Sequence, residues 1–356
     1  MQLTDAEKAI VWLQCCTQLD YRERVALLRH AGDPKNLLDN FEEIASAVIQ
    51  PSKLRLYNDR GVALSVVENF LVQTEKAGYF VVTLVTDDYP ESLKAIPDPP
   101  LVLFGCGNRE LLSRRKFCIV GSRITPPWAE RQGELVSEIL SERFAIVTGL
   151  AEGGDSAAIS GAIKSGNLIC VLPNGLNECY PASQSSVKEQ VRRHGLLLSE
   201  YSHDEALRKY YFHARNRLLA GLSEGVLVVS AGEKSGALIT AGRAAEYGRD
   251  VFAFPYNIGV SSGAGCNELI KKGAYLCTGA EDILSCYGIV RQERKSVSLT
   301  EEERIVYEML CGRGELHTMI IAEALNKQIF EVSAILSALE LKGLVVKSGG
   351  NRYSAV

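Results

Sequence analysis

Between Lys209 and Arg217 the sequence reads Lys-Tyr-Tyr-Phe-His-Ala-Arg-Asn-Arg, with Lys209, Arg215 and Arg217 set among Tyr210, Tyr211 and Phe212 and no acid between them. Arginine and lysine track phosphates while unpaired bases stack on aromatic faces, each stacked base contributing ~1–3 kcal/mol. The segment therefore has the side chains a single-stranded nucleic acid needs. Two arginines and an asparagine make poor core packing, so they and the rings are expected to be exposed beside a site. A fourth cation, Arg123, ends the run Phe117-Cys-Ile-Val-Gly-Ser-Arg123. There an apolar series of β-formers stops at Gly-Ser-Arg and an amphipathic stretch begins at Pro127. That is the pattern of a buried parallel strand delivering a phosphate-sized turn to a helix N-terminus.

Gly149-Leu-Ala-Glu-Gly153 and Gly232-Glu-Lys-Ser-Gly236 add two glycine-rich turns. Together they describe anion cradles of backbone N–H groups and hydroxyls, although neither matches a Walker A or G-x-G-x-x-G template. There is no G-x-S-x-G elbow and no C-x-x-C, and none of the five histidines has a spacing that implies a metal or a triad. No catalytic residue, metal or cofactor is expected.

The elements that must bring these loops together follow a regular alternation. Apolar strands are expected at Phe117–Val120, Phe144–Val147, Leu168–Leu172, Leu196–Leu198, Val226–Val229 and Val251–Phe254, with helices between them at Trp128–Ser141, Asp155–Lys164, Ser183–His194 and Ala237–Tyr247. This is the βαβ repeat of a Rossmann-like, doubly wound, mostly parallel α/β sheet. Ligands of such sheets sit beyond the carboxyl ends of the strands, where strand order reverses. Each loop above leaves a strand at that end.

Residues 1–78 read as a helical module of the SAM or helix-hairpin-helix kind. It opens on the capping box Thr4-Asp-Ala-Glu7. Residues 79–287 form the core, entered through a proline-dense, extended segment that includes Ile96-Pro-Asp-Pro-Pro100. Residues 288–298 are a polar linker, and 299–356 read as three helices and a hairpin, a winged-helix pattern. That last module carries six Lys/Arg against eight Asp/Glu, a net of −2. A major-groove reader should be basic, so a structural or protein-docking role is expected of it.

The 356 residues carry a net charge of −4, which excludes wholesale coating of nucleic acid but allows a local basic cleft. The N-terminus lacks a basic leader, and no window approaches the ~20 apolar residues of a membrane span. Ten cysteines, many in apolar runs (Cys118, Cys170, Cys277), behave as small hydrophobes. A cytoplasmic location is expected.

Taken in order, several motifs resemble the DprA/Smf family. They are Val120-Gly-Ser-Arg123, Thr148-Gly-Leu-Ala-x-Gly-x-Asp155, Tyr180-Pro181, Leu198-Ser-Glu-Tyr201, Phe212-x-x-Arg-Asn-Arg217, Gly221-Leu-Ser223, Ser235-Gly-x-Leu-Ile-Thr240 and Gly265-Cys-Asn267. The resemblance covers about Tyr79 to Leu284. It implies a non-enzymatic cytosolic protein that binds single-stranded DNA, protects it, and loads the RecA recombinase during natural transformation, usually as a homodimer. The family's DNA-pocket positions carry over as Gly121, Ser122, Arg123, Lys209, Phe212, Arg215, Asn216 and Arg217, with Ser235, Gly236, Thr240 and Asn267 completing the anion-binding edge. Three residues depart from the family pattern: Ile159 for His, Ser230 for Glu, and Tyr256 for Gly. The alternative is a nucleotide-handling enzyme or sensor of the LOG-like Rossmann group. Its Pro-Gly-Gly-x-Gly-Thr-x-x-Glu run does not occur here.

Overall fold

The computed structural model describes residues 3–16, 19–51, 54, 64–290 and 299–355. The chain divides into two compact units, residues 1–289 and 290–356. Most of the expected polar linker, residues 291–298, lies outside the described residues, as does part of the N-terminal helical stretch.

The first unit is built on a nine-stranded sheet among the described residues. Its strands are β1 (Phe80–Thr83), β2 (Val102–Gly107), β3 (Lys116–Gly121), β4 (Ala145–Thr148), β5 (Leu168–Leu172), β6 (Leu196–Ser199), β7 (Gly225–Ser230), β8 (Asp250–Ala253) and β9 (Tyr275–Leu276). Their order is β1-β2-β6-β5-β4-β3-β7-β8-β9. The seven strands from β6 to β9 run parallel, and β2 and β1 add an antiparallel margin. β4, β5 and β7 are buried along their whole length, as unbroken apolar runs covered by helices on both faces should be. The chain builds outward from β3 through β4, β5 and β6, then crosses back to place β7 on the other side of β3. The order therefore reverses between β3 and β7, which is where a doubly wound sheet offers its crevice.

The expected strands and βα helices are all present within a few residues of their predicted limits. The proline-rich entry segment contributes β1 and β2 on either side of its turns, with the prolines kept to the connection. One stretch differs in kind. Lys209–Arg217, read as a loop, enters the helix Tyr211–Leu222, whose N-cap Tyr210 makes no side-chain capping bond. Without a capping residue no local start signal marks it. The helix is held by its buried face, which includes Leu218, Leu219 and Leu222.

N-terminal helices Asp5–Cys15, Tyr21–Ala31, Phe41–Val48 and Leu64–Lys76 precede β1. The Thr4/Glu7 capping box is formed. Ile10, Leu13, Leu27 and Val67 belong to the same buried cluster as Val81, Phe104 and Phe117 of the sheet. The Gln14 amide donates to the Glu200 carbonyl (3.1 Å) and the Tyr21 hydroxyl to the Pro99 carbonyl (2.9 Å).

The second unit has its own core of Val306, Leu310, Ile321, Val332, Leu336 and Tyr353. Helices Glu301–Arg313, Thr318–Leu325 and Ile329–Leu341 accompany a three-stranded antiparallel sheet of β10 (Leu316–His317), β11 (Val345–Ser348) and β12 (Arg352–Ala355), ordered β10-β12-β11. No helix among the described residues is long and apolar enough to cross a membrane.

Candidate nucleic-acid interface

At the β3/β7 switch point the turn Gly121-Ser122-Arg123 leaves the sheet and packs onto the start of the helix Gly154–Ala162. The Gly154 N–H donates to the Ser122 carbonyl (3.1 Å). Gly153, at φ +73°, holds a backbone conformation that L side chains rarely adopt, and a Cβ there would collide with the Ser122 carbonyl oxygen. A Cβ on Gly121 would lie 2.9 Å from the Gly154 Cα. These glycines are thus required for turn and helix to meet.

Ser230, at the end of β7, ties the turn down from the other side. Its carbonyl and hydroxyl both accept from the Ser122 N–H (2.9 and 3.1 Å), and its hydroxyl bonds that of Thr125 (2.7 Å). The Ser122 hydroxyl reaches that of Ser235 at 3.2 Å. The serine that departs from the family pattern is therefore a working part of the turn.

A cleft of about 220 Å³ opens here. Gly121, Ser122, Arg123, Phe212, Arg215, Asn216, Ser235, Gly236 and Thr240 line it, together with Val120, Ala151, Asp155, Leu219 and Ala237. Nine of the twelve expected site residues therefore converge. The other three do not line it. Lys209 is exposed, ahead of the helix. The Asn267 side-chain amide bonds both the N–H and the carbonyl of Tyr256 (3.0 and 2.9 Å), so it holds a loop instead of facing the cleft.

Arg217 points elsewhere. It donates to both Glu200 oxygens (2.5 and 2.6 Å), and its Nε lies 3.4 Å from Asp98. The expectation that Arg215, Asn216 and Arg217 are exposed is overturned, since they are 6%, 8% and 9% exposed. Polar residues pack well inside when partners arrive from other segments, and here Asp98 and Glu200 do so. Burial lowers the Arg217 guanidinium, and Glu200 and Asp98 more than restore it. Burial also raises Glu200 above the usual carboxylate range, with Arg217 pulling against it.

Arg215 donates to the Val171 carbonyl and to the Asn216 side chain (3.2 Å). It faces Asp155 across Gly149, whose added Cβ would crowd both. Burial raises Asp155 and lowers Arg215, and each offsets the other's shift. Of the rings, Tyr211 is buried and stacks on Tyr201 at 3.9 Å, while Tyr210 is exposed.

Arg123 is different. It is exposed, and among the described residues no carboxylate comes within ion-pair distance. Its guanidinium lies 5.5 Å from the Phe212 ring centroid and 5.9 Å from that of Tyr180, and the two rings meet edge to face at 5.6 Å. Cation–π contact orients a guanidinium without neutralising it. Tyr180 was legible only as part of the Tyr180-Pro181 motif; its place beside Arg123 had no local signal.

Fold and site define a Rossmann-like protein with a Gly-Ser-Arg turn and an aromatic flank at its switch point. The profile of the family described as DNA recombination-mediator protein A matches residues 80–288. The DNA processing protein DprA of Streptococcus pneumoniae is 41% identical over 204 residues, 57% of this chain and 72% of that protein. The X-ray structure of S. pneumoniae DprA covers 80% of this chain and 98% of its own at a TM-score of 0.70 and 32% identity. A Helicobacter pylori structure, described for the single-stranded DNA binding mode of its DNA processing protein A, covers 59% and 95% at a TM-score of 0.54 and 30% identity. The chain belongs to the DprA/Smf family. Its role is that of a DNA-processing recombination mediator rather than an enzyme.

Proposed function

We propose that this protein binds single-stranded DNA across the β3/β7 cleft, protects it and loads the RecA recombinase onto it, acting in the cytoplasm as a homodimer. The observation that carries this reading is Arg123: an exposed cation held between Tyr180 and Phe212 at the mouth of a cleft of hydroxyls and glycine backbone. A phosphate meets Arg123, Ser122 and Ser235, and a base finds the Phe212 ring. Lys209 adds charge from the helix entry. Arg215, Asn216, Gly236 and Thr240 shape the floor, whereas Arg217 and Asn267 act by positioning the helix and the β8 loop.

Residues 1–78 serve as a SAM-like helical domain, 79–287 as the DNA-binding core and 299–356 as a winged helix. The helix Ile329–Leu341 contains no Lys or Arg and exposes Ile329 and Phe330, which supports a role for that module other than groove reading.

The test is salt-dependent binding of single- and double-stranded oligonucleotides. Wild type is expected to prefer single strands, with log affinity falling by roughly 0.7 per neutralised phosphate for each log of salt. Equal affinity for both forms, or an Arg123→Ala variant that binds like wild type, would refute the reading.

A further inference from the structure

A second aromatic surface lies at the same sheet edge, on the β8 side of the cleft. Trp128, in the first turn of the helix Pro127–Ser141, is 42% exposed. Its ring packs on Tyr256 at 4.9 Å. Tyr256 is pinned in place: its hydroxyl donates to the Val229 carbonyl (2.8 Å), Asn267 holds its backbone on both sides, and a Cβ on Gly263 would run into its ring. The polar end of Tyr256 is thus satisfied inward while its ring backs the indole. Ile124 and Ile258 stand exposed nearby in sequence, on the β3 and β8 loops. Thr125, three residues before Trp128, is bonded to Ser230 and to the Ser122 carbonyl. The indole is therefore tied to the Gly-Ser-Arg turn.

We infer that Trp128, backed by Tyr256, is a second base-stacking station that takes an unpaired nucleobase of the same single strand as it leaves the cleft. This rests on the single-strand binding proposed above. Tyr180 leaves β5 and flanks Arg123 together with Phe212, whereas Trp128 opens the helix that starts four residues beyond Arg123 and packs on Tyr256, which leaves β8. In the sheet order β5 and β8 lie on opposite sides of β3, so the two ring pairs flank the β3 turn from either side. The Ser122 and Ser235 hydroxyls meet on the β3 and β7 loops, and the β7 loop also exposes Glu233 and Lys234. Rings on either side of a turn lined with hydroxyls suit a backbone that carries its bases to both sides. Stacking reads only the π-face, so the station should accept any base.

The chain supplies its own probe. It has two tryptophans, and the other, Trp12, is buried. Titrating the full chain with oligothymidylate of about four and about twenty nucleotides should quench Trp128 emission with the long oligomer and much less with the short one. Trp128→Ala should weaken binding of the long oligomer by about fivefold to a hundredfold, the effect of losing one stacked base. It should leave the short oligomer nearly unaffected, and Trp128→Phe should restore most of the loss. Unchanged emission on saturation with the long oligomer overturns the inference without any variant. So does equal binding of the long oligomer by wild type and Trp128→Ala, or a Trp128→Ala effect confined to self-association. These outcomes leave the proposed function standing if Arg123→Ala still weakens single-strand binding. A wild type that binds no single strand overturns both.

Discussion

Arg123 and Arg217 are both cations of the motifs read as the site, and their surroundings are opposite. Arg123 sits in water between two rings. Arg217 sits under the surface between two carboxylates. Rings orient a guanidinium and leave its charge for a ligand, whereas carboxylates use the charge to hold the protein together. Arginine content alone would overcount the cations that this cleft leaves free for a ligand.

The largest effect should come from Arg217→Ala. It leaves Glu200 buried without its partner, a change that typically costs ~3–5 kcal/mol, read as a fall in the denaturant midpoint. Adding Glu200→Gln should recover much of that loss. If Arg217→Ala instead weakened DNA binding at unchanged stability, the contrast drawn here would collapse.

Arg123→Ala should do the reverse. Stability should stay within about 0.5 kcal/mol, as for an exposed side chain. Loss of a charge-assisted contact of ~1.5–3 kcal/mol should lower single-strand affinity by roughly tenfold to a hundredfold, with the salt slope reduced by about 0.7. Phe212→Leu, which removes one ring of the clamp, should weaken binding less and leave the slope alone.

The buried carboxylate of the cleft provides a pH test. Asp155 is raised by burial, against the pull of Arg215. Folded protein therefore holds this proton to higher pH than the unfolded chain does, and the contribution to stability is fully present below the unfolded value. It is lost as pH rises through the folded value. Unfolding measured from pH 4 upward should show this fall in wild type and a smaller one in Asp155→Asn, the remainder belonging to Glu200, which burial also raises. The smallest effect belongs to Lys209→Ala, an exposed cation with freedom to move: a modest loss of affinity, gone at high salt, with no change in melting.

The alternation of apolar strands and amphipathic helices was enough to specify the parallel sheet, because strands buried on both faces must read as apolar runs. The turn Gly121–Arg123 and its match to the family were equally legible, since a turn packed against a helix start needs glycines at fixed places. The helix Tyr211–Leu222 was not. It lacks a capping residue, and its inward face is stabilised by groups far away in sequence. Once the segment is helical, Phe212, Arg215 and Asn216 can share the cleft while Arg217 turns to another side. Nothing local in Lys209–Arg217 records that Asp98 and Glu200 meet Arg217, or that Tyr180 meets Arg123. The residue types and the strand-end turns came from the sequence itself. Which cations remain free was decided by tertiary structure, because charge availability depends on partners that only the folded chain brings within a few ångströms.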